Sequence, residues 1–207
     1  MEANAPPTPT PTNQQTNDPA TATNTNTNNG SRRFFIAIWV VIIALLALFA
    51  WGLFNNSQTR PIAGAPAPDV ELQFFDGYGW QHATADTHLA DMQGRPVVLN
   101  FWASWCDECH LEAELLENLS REYGDDVVFL GIAYVDTPTK AVEYLEYYDI
   151  TYPNAPDLQA SISDKYEITG VPETFIIGPD GVIADVIIGP VSETRVRTIL
   201  EQLLGSS

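Results

Sequence analysis

Cys106 and Cys109 are the whole cysteine complement of this 207-residue chain, so any intramolecular disulfide joins these two. They stand in Trp105-Cys106-Asp107-Glu108-Cys109-His110, and such a pair can alternate between dithiol and disulfide by thiolate exchange. An apolar run, Pro96 to Ala103, leads into the pair, and a helical pattern, Asp107 to Tyr123, leads away from it. Amide N–H groups at a helix N-terminus favour a thiolate, which marks Cys106 as the attacking nucleophile. Cys109, one turn into the helix, then reaches back to resolve a mixed disulfide. Asp107 and Glu108 put negative charge beside that thiolate, which raises its pKa and points toward a reductant rather than an oxidant.

The same residues admit other chemistry. Cys106 to His110 is also C-x-x-C-H, the attachment signature of c-type haem, with Met1 or Met92 as the available axial methionines. Zinc could draw on the two cysteines with His82, His88 or His110, although no second pair has ligand spacing. A redox-silent binding module is the third alternative, and the intact cysteine pair speaks against it.

The elements that must hold the pair follow from periodicity. Pro96 to Ala103 and Val127 to Val135 are near-continuous apolar runs, the pattern of strands buried on both faces. Asp107 to Tyr123 carries Leu111, Leu115 and Leu119 on one stripe and ends at Gly124. Further helices are expected over Thr139 to Tyr148, Leu158 to Tyr166 and Glu193 to Leu204. Thr174 to Ile177 and Val182 to Ile188 flank Gly178-Pro179-Asp180-Gly181 as a hairpin. Val70 to Phe74, the turn at Asp76-Gly77 and a short strand near Trp80 suggest an N-terminal β-hairpin extension. The expectation is an α/β domain, a mixed sheet flanked by helices.

Outside this domain the composition changes sharply. Residues 1–33 are rich in Pro, Thr, Asn and Gln, too poor in apolar surface to offset ordering entropy, and read as a disordered cytoplasmic tail. Residues 34–54 hold no charge, and a helix of that length spans the roughly 30 Å hydrocarbon core as one transmembrane segment. A cleaved signal peptide is the competing reading, but its apolar stretch usually runs only about 7 to 15 residues. Arg32 and Arg33 on one flank place the N-terminus in the cytoplasm and the domain outside the cell membrane. Residues 55–68, rich in Pro and Ala, read as a linker ahead of a domain over 69–207. The chain has 27 acids against 9 bases; only Glu2, Asp18, Arg32 and Arg33 of these precede residue 60, so residues 60–207 carry the whole net charge of -18. Such a surface lacks the basic face that a nucleic-acid binder needs.

Two longer motifs carry a family resemblance. Asn100-Phe101-Trp102-Ala103-Ser104-Trp105-Cys106-x-x-Cys109 and Gly170-Val171-Pro172-Glu173-Thr174-Phe175, with Gly178-x-x-Gly181, resemble the membrane-anchored thioredoxin-like proteins of the TlpA, ResA and CcmG (DsbE) group. Ala67-Pro68-Asp69 and Tyr152-Pro153 agree with it, and the resemblance covers about residues 65–204. It implies a thioredoxin fold, a cis peptide bond before Pro172, and packing of Pro172 against the cysteine pair. It also implies apocytochrome c disulfides as clients and a membrane thiol carrier of the CcdA or DsbD kind as electron donor. The Cys106–Cys109 disulfide is then the redox centre, without a further cofactor. Cytosolic thioredoxins carry a buried Asp where this chain has Asn100, and Glu112 is placed to take over its role. Cys109 and Glu112 are three apart on a helix and share a face, and the family pattern CxxCxxE weighs against Glu112 being one more solvated acid. Glu173 either shapes the client groove beside Pro172 or is an exposed loop acid.

Overall fold

The computed structural model describes residues 29–55 and 60–205. They fall into two compact units, the described residues 29–55 in one and 60–205 in the other. Residues 1–28, most of the expected tail, lie outside the described residues. In the first unit α1 spans Asn29–Asn55 and so takes in residues 29–33, which the composition had assigned to the tail. Its stretch Arg33–Trp51 has mean hydropathy 2.9 and is long and apolar enough to cross a membrane. Apolar side chains cover it all round, so it has no polar face of the kind a helix packed on a soluble core presents to water.

The second unit is built around β1 (Val97–Trp102), α2 (Asp107–Tyr123), β2 (Val128–Tyr134), α3 (Pro138–Tyr147), β3 (Asn154–Asp157), α4 (Ser161–Tyr166), β4 (Glu173–Ile177), β5 (Ile183–Ile188) and α5 (Glu193–Gly205). The strands form one mixed sheet in the order β3-β2-β1-β4-β5. β1, β2 and β3 run parallel, and β4 is antiparallel to both β1 and β5. The strand period of two divides β1 cleanly. Val98 and Trp102 join the core formed with α2, α3 and α5, whereas Val97, Leu99 and Phe101 join the opposite core with α4 and the segment 70–92. Both faces are covered, which is why β1 and β2 read as continuous apolar runs.

At Gly131 in β2 a Cβ would stand 1.8 Å from Asn154 Oδ1 and 2.8 Å from Trp102 Nε1. Only glycine leaves room there for the Trp102 indole to donate across β2 to Asn154, at 2.9 Å.

Four expectations are revised by the structure. No regular hairpin forms over residues 70–80: Leu72 and Leu89 bond to Thr87 and Val70 through one isolated bridge, Glu71 with His88. The turn at Asp76-Gly77 does form, with Phe75 and Tyr78 on either side of it bonding the backbone of Asn154, so it braces β3 instead of folding back on residues 70–74. β3 itself was not anticipated, because Asn-Ala-Pro-Asp has low strand propensity; as an edge strand it tolerates Pro156. The α2 stripe is rotated. Leu111 is 76% exposed, and the buried side chains are Cys109, Glu112, Ala113, Leu116, Glu117 and Leu119. Burial of two acids was not readable from apolar spacing, since it depends on partners elsewhere: Glu117 accepts from Thr151 and Arg121.

The last revision concerns residues 60–68, expected to be a spacer. They are docked on the sheet: Gly64 N donates to Ile183 O, Ile183 N to Ala65 O, and Ala67 N to Gly181 O, at 2.8 to 2.9 Å. The open edge at the start of β5 offers backbone groups to this extended chain, and pairing satisfies both. The folded unit therefore begins well before residue 69.

Candidate redox-active site

β1 delivers the chain through Ala103, Ser104 and Trp105 to Cys106, which is the N-cap of α2. Cys106 has extended backbone geometry, and its sulfur accepts the Cys109 N–H at 3.1 Å. The cysteines are joined as a disulfide with Cα atoms 5.3 Å apart. Cys106 is 5% exposed and Cys109 is fully enclosed, an asymmetry that lets a client approach the first sulfur and not the second. Asp107 and Glu108 lie exposed in the first turn, where helix N-terminal amides offset part of their repulsion of a thiolate.

Pro172 is buried, its bond to Val171 is cis, and the Val171 carbonyl oxygen lies 3.5 Å from Cys106 Sγ. The structure thus brings the motif at 170–175 to the cysteine pair, across 65 residues of sequence. Glu173, the next residue, is fully buried and paired with Arg60, with Thr169 also donating to it. It is neither a groove wall nor an exposed loop acid. Burial raises its pKa, opposed by the Thr169 N–H and the Arg60 charge.

Glu112 lies behind the disulfide, one turn from Cys109 and 2% exposed. Its Oε1 accepts from Asn100 Nδ2 at 2.7 Å and its Oε2 from Val191 N at 2.8 Å, while Asn100 also donates to Thr174 Oγ1 at 3.0 Å. Desolvation raises the Glu112 pKa to about 7, against the lowering effect of the Val191 and Asn100 hydrogen bonds. Asn100 therefore holds Glu112 in place of supplying an acid itself. Thr174 stands inside the motif at 170–175 without a role assigned to it there, and Val191 stands in no motif, because each contributes one atom from a distant element.

The histidines lie apart. His82 packs edge-on against Trp80, and His88 pairs with Asp69. His110 has both ring nitrogens engaged, Nε2 to Ser104 O at 2.9 Å and Nδ1 to the Tyr148 hydroxyl at 2.8 Å. That leaves neither nitrogen free for the axial position that C-x-x-C-H would assign it.

The sequence profile of the AhpC/TSA family matches residues 63–186, from the docked segment into β5. The chain belongs to the AhpC/TSA family. Among its relatives, thiol-disulfide oxidoreductase ResA of Oceanobacillus iheyensis is 27% identical over 79% of this chain and 85% of its own length. Thiol:disulfide interchange protein DsbE of Escherichia coli is 30% identical over 70% of this chain and 78% of its own. The structure of a DsbE-type protein from Chlorobium tepidum superposes with a TM-score of 0.62 at 21% identity, covering 70% of this chain and 99% of that one. This AhpC/TSA member thus has the thioredoxin-like fold, and its C-x-x-C pair makes it a thiol-disulfide oxidoreductase of the ResA/DsbE type.

Proposed function

We propose that the chain is a membrane-anchored reductant of extracytoplasmic disulfides, with the cysteine pair of apocytochrome c as client. One observation carries the chemistry: an accessible Cys106 and an enclosed Cys109 at the N-terminus of α2, beside Pro172. In the reduced protein the Cys106 thiolate attacks a client disulfide; the client S–S bond breaks and one client sulfur leaves as thiolate. Cys109 gives its proton to Glu112 and attacks Cys106, releasing the second client sulfur and closing the Cys106–Cys109 disulfide. Two electrons pass to the client, carried by the sulfurs, with no further cofactor. Glu112, with a pKa of about 7, is poised to hold and return that proton near neutral pH. Cys106, Cys109, Glu112 and Pro172 are the site residues of this proposal. A membrane dithiol carrier of the CcdA or DsbD kind restores the reduced pair by the same exchange.

The test uses the full chain in detergent, reduced and freed of excess reductant, with a peptide carrying an internal Cys-x-x-Cys-His disulfide. Client thiols should appear in step with the Cys106–Cys109 disulfide. Reduction of insulin but not of the peptide would instead favour a general disulfide reductase, and oxidation of a dithiol peptide by the disulfide form would reverse the direction.

Placement outside the cytoplasm is supported by the apolar span Arg33–Trp51 and by Arg32 and Arg33 beside it. A reporter that works only outside the cytoplasm, fused after Ser207, should be active in cells. Activity of a cytoplasmic reporter alone would overturn this topology.

A further inference from the structure

We infer that His110 and Asp136 are positioning residues for the nucleophile, holding the two peptide units that flank Ser104 so that Cys106 is aimed at the client; the inference rests on the dithiol chemistry proposed above.

The loop from Ala103 to Cys106 has little to hold it from within. Its own closure is one turn bond, Cys106 N to Ala103 O at 3.2 Å; Ala103 and Cys106 are buried at its ends, but between them Trp105 is 58% exposed with one tilted ring contact to Tyr134 at 6.4 Å, so packing leaves its middle loosely held. What fixes it comes from outside. The buried carboxylate of Asp136, in the β2–α3 connection, accepts the Ser104 N–H at 2.6 Å. His110 Nε2 meets the Ser104 carbonyl at 2.9 Å, and the Trp105 indole donates to Val135 O at 3.3 Å. The two peptide planes on either side of Ser104 are therefore pinned, Ala103–Ser104 at its N–H and Ser104–Trp105 at its carbonyl.

The chemistry of the partners assigns the protons. A carbonyl oxygen only accepts, so Nε2 carries hydrogen, and the Nδ1 of a neutral ring then accepts from Tyr148 Oη. Ring contacts to Tyr144 and Tyr148, with centroids at 5.0 and 5.6 Å, fix the imidazole plane. Tyr144 Oη, on α3, donates to the Cys109 carbonyl at 2.9 Å, and Tyr148 is the residue that caps the same helix. α3 thereby grips both the loop and the first turn of α2. Val135 adopts φ of 45°, a conformation that costs a β-branched residue energy. Its carbonyl faces Trp105 and its N–H bonds Asp157 O. The strain falls at the one residue whose carbonyl completes the clamp.

His110 touches neither sulfur, so its effect passes through the loop. A misplacement of about 1 Å in a reacting group costs on the order of 10²-fold in rate. The experiment takes the full chain carrying Cys109→Ser, which leaves Cys106 as the only thiol, in detergent. Two quantities are read: the pH profile of Cys106 alkylation by iodoacetamide, and the rate of mixed-disulfide formation with a disulfide peptide. His110→Ala and Asp136→Ala should each displace the alkylation midpoint and slow mixed-disulfide formation by about 10- to 100-fold. His110→Gln places an amide N–H where Nε2 was, and Asp136→Asn keeps an acceptor without the charge; both should recover most of the lost rate. Unchanged profiles and rates in the alanine variants, even with a lower melting temperature, would overturn the inference and leave both residues structural. Equal damage from His110→Gln and His110→Ala would overturn it as well. Failure of the Cys109→Ser parent to form any mixed disulfide would instead bring down the dithiol chemistry itself, which separates the two failures.

Discussion

Cys109→Ser will stall exchange at a mixed disulfide through Cys106, and Cys106→Ser will accumulate none. Only Cys106 reaches the surface beside the Val171 carbonyl, and Cys109 is enclosed beneath it. A client disulfide can meet the first sulfur; the second can be reached only from the first, one helical turn away. Removing Cys109 leaves attack intact and deletes resolution, whereas removing Cys106 deletes the attack. Turnover should fall in both variants on the order of 10³-fold or more, as expected when a member of a catalytic unit is lost. Non-reducing gels of cells expressing each variant read the outcome directly. Equal trapping by the two variants would mean that the nucleophile is misassigned.

Glu112→Gln will slow release of the client from the mixed disulfide by about 10²- to 10⁴-fold, the range lost with a general base. It should slow the initial attack far less, because the carboxyl group sits one turn from Cys109 at the back of the pair. Stopped-flow measurement of the two phases separates them. The geometry admits the substitution: Asn100 can turn its amide to present oxygen to the new Gln nitrogen while the Gln oxygen still accepts from Val191. Above pH 7, where the wild-type carboxylate is ionised, removing it should also let the Cys109 thiolate form at lower pH.

The same substitution has a stability signature. Glu112 titrates near 7 in the folded protein and near 4.5 as a free side chain. Between those values the folded state retains a proton that the unfolded chain has released, so stability falls as pH rises through this window. Above about 7 both states are ionised and the loss is complete, at most roughly 3 kcal/mol for that difference. Wild-type protein should therefore lose urea resistance from pH 5 to pH 8, and Glu112→Gln should lose correspondingly less. A fragment beginning at Gln58, just ahead of the described residues of the second compact unit, suits the measurement. Parallel pH profiles for wild type and variant would place the titrating group elsewhere.

Local pattern was enough for several features. A three-residue spacing, an apolar run before it and a helical period after it placed Cys106 at the start of α2 with Cys109 one turn in. Strands buried on both faces announced themselves as β1 and β2, and a charge-free stretch announced α1. Each is set by neighbours in sequence, through chain geometry and the transfer of apolar groups from water. The tertiary structure decided what depended on a partner far along the chain. Apolar spacing turned Leu111 inward, and Glu112 was singled out only by its distance of three from Cys109 and by the family pattern, because apolar spacing carries no information about a carboxylate that Asn100 and Val191 will satisfy. Glu173 became a buried ion pair only because residues 60–68 dock on β5 and bring Arg60 to it. β3 formed from Asn-Ala-Pro-Asp because β2 and the turn at Asp76-Gly77 offered it hydrogen bonds. His110 is in sequence only the last letter of a C-x-x-C-H string, and its bonds to Ser104 and Tyr148 appear only in the fold. A buried polar group is stable only when its partner arrives, and in this protein the partners come from elements that sequence spacing does not connect.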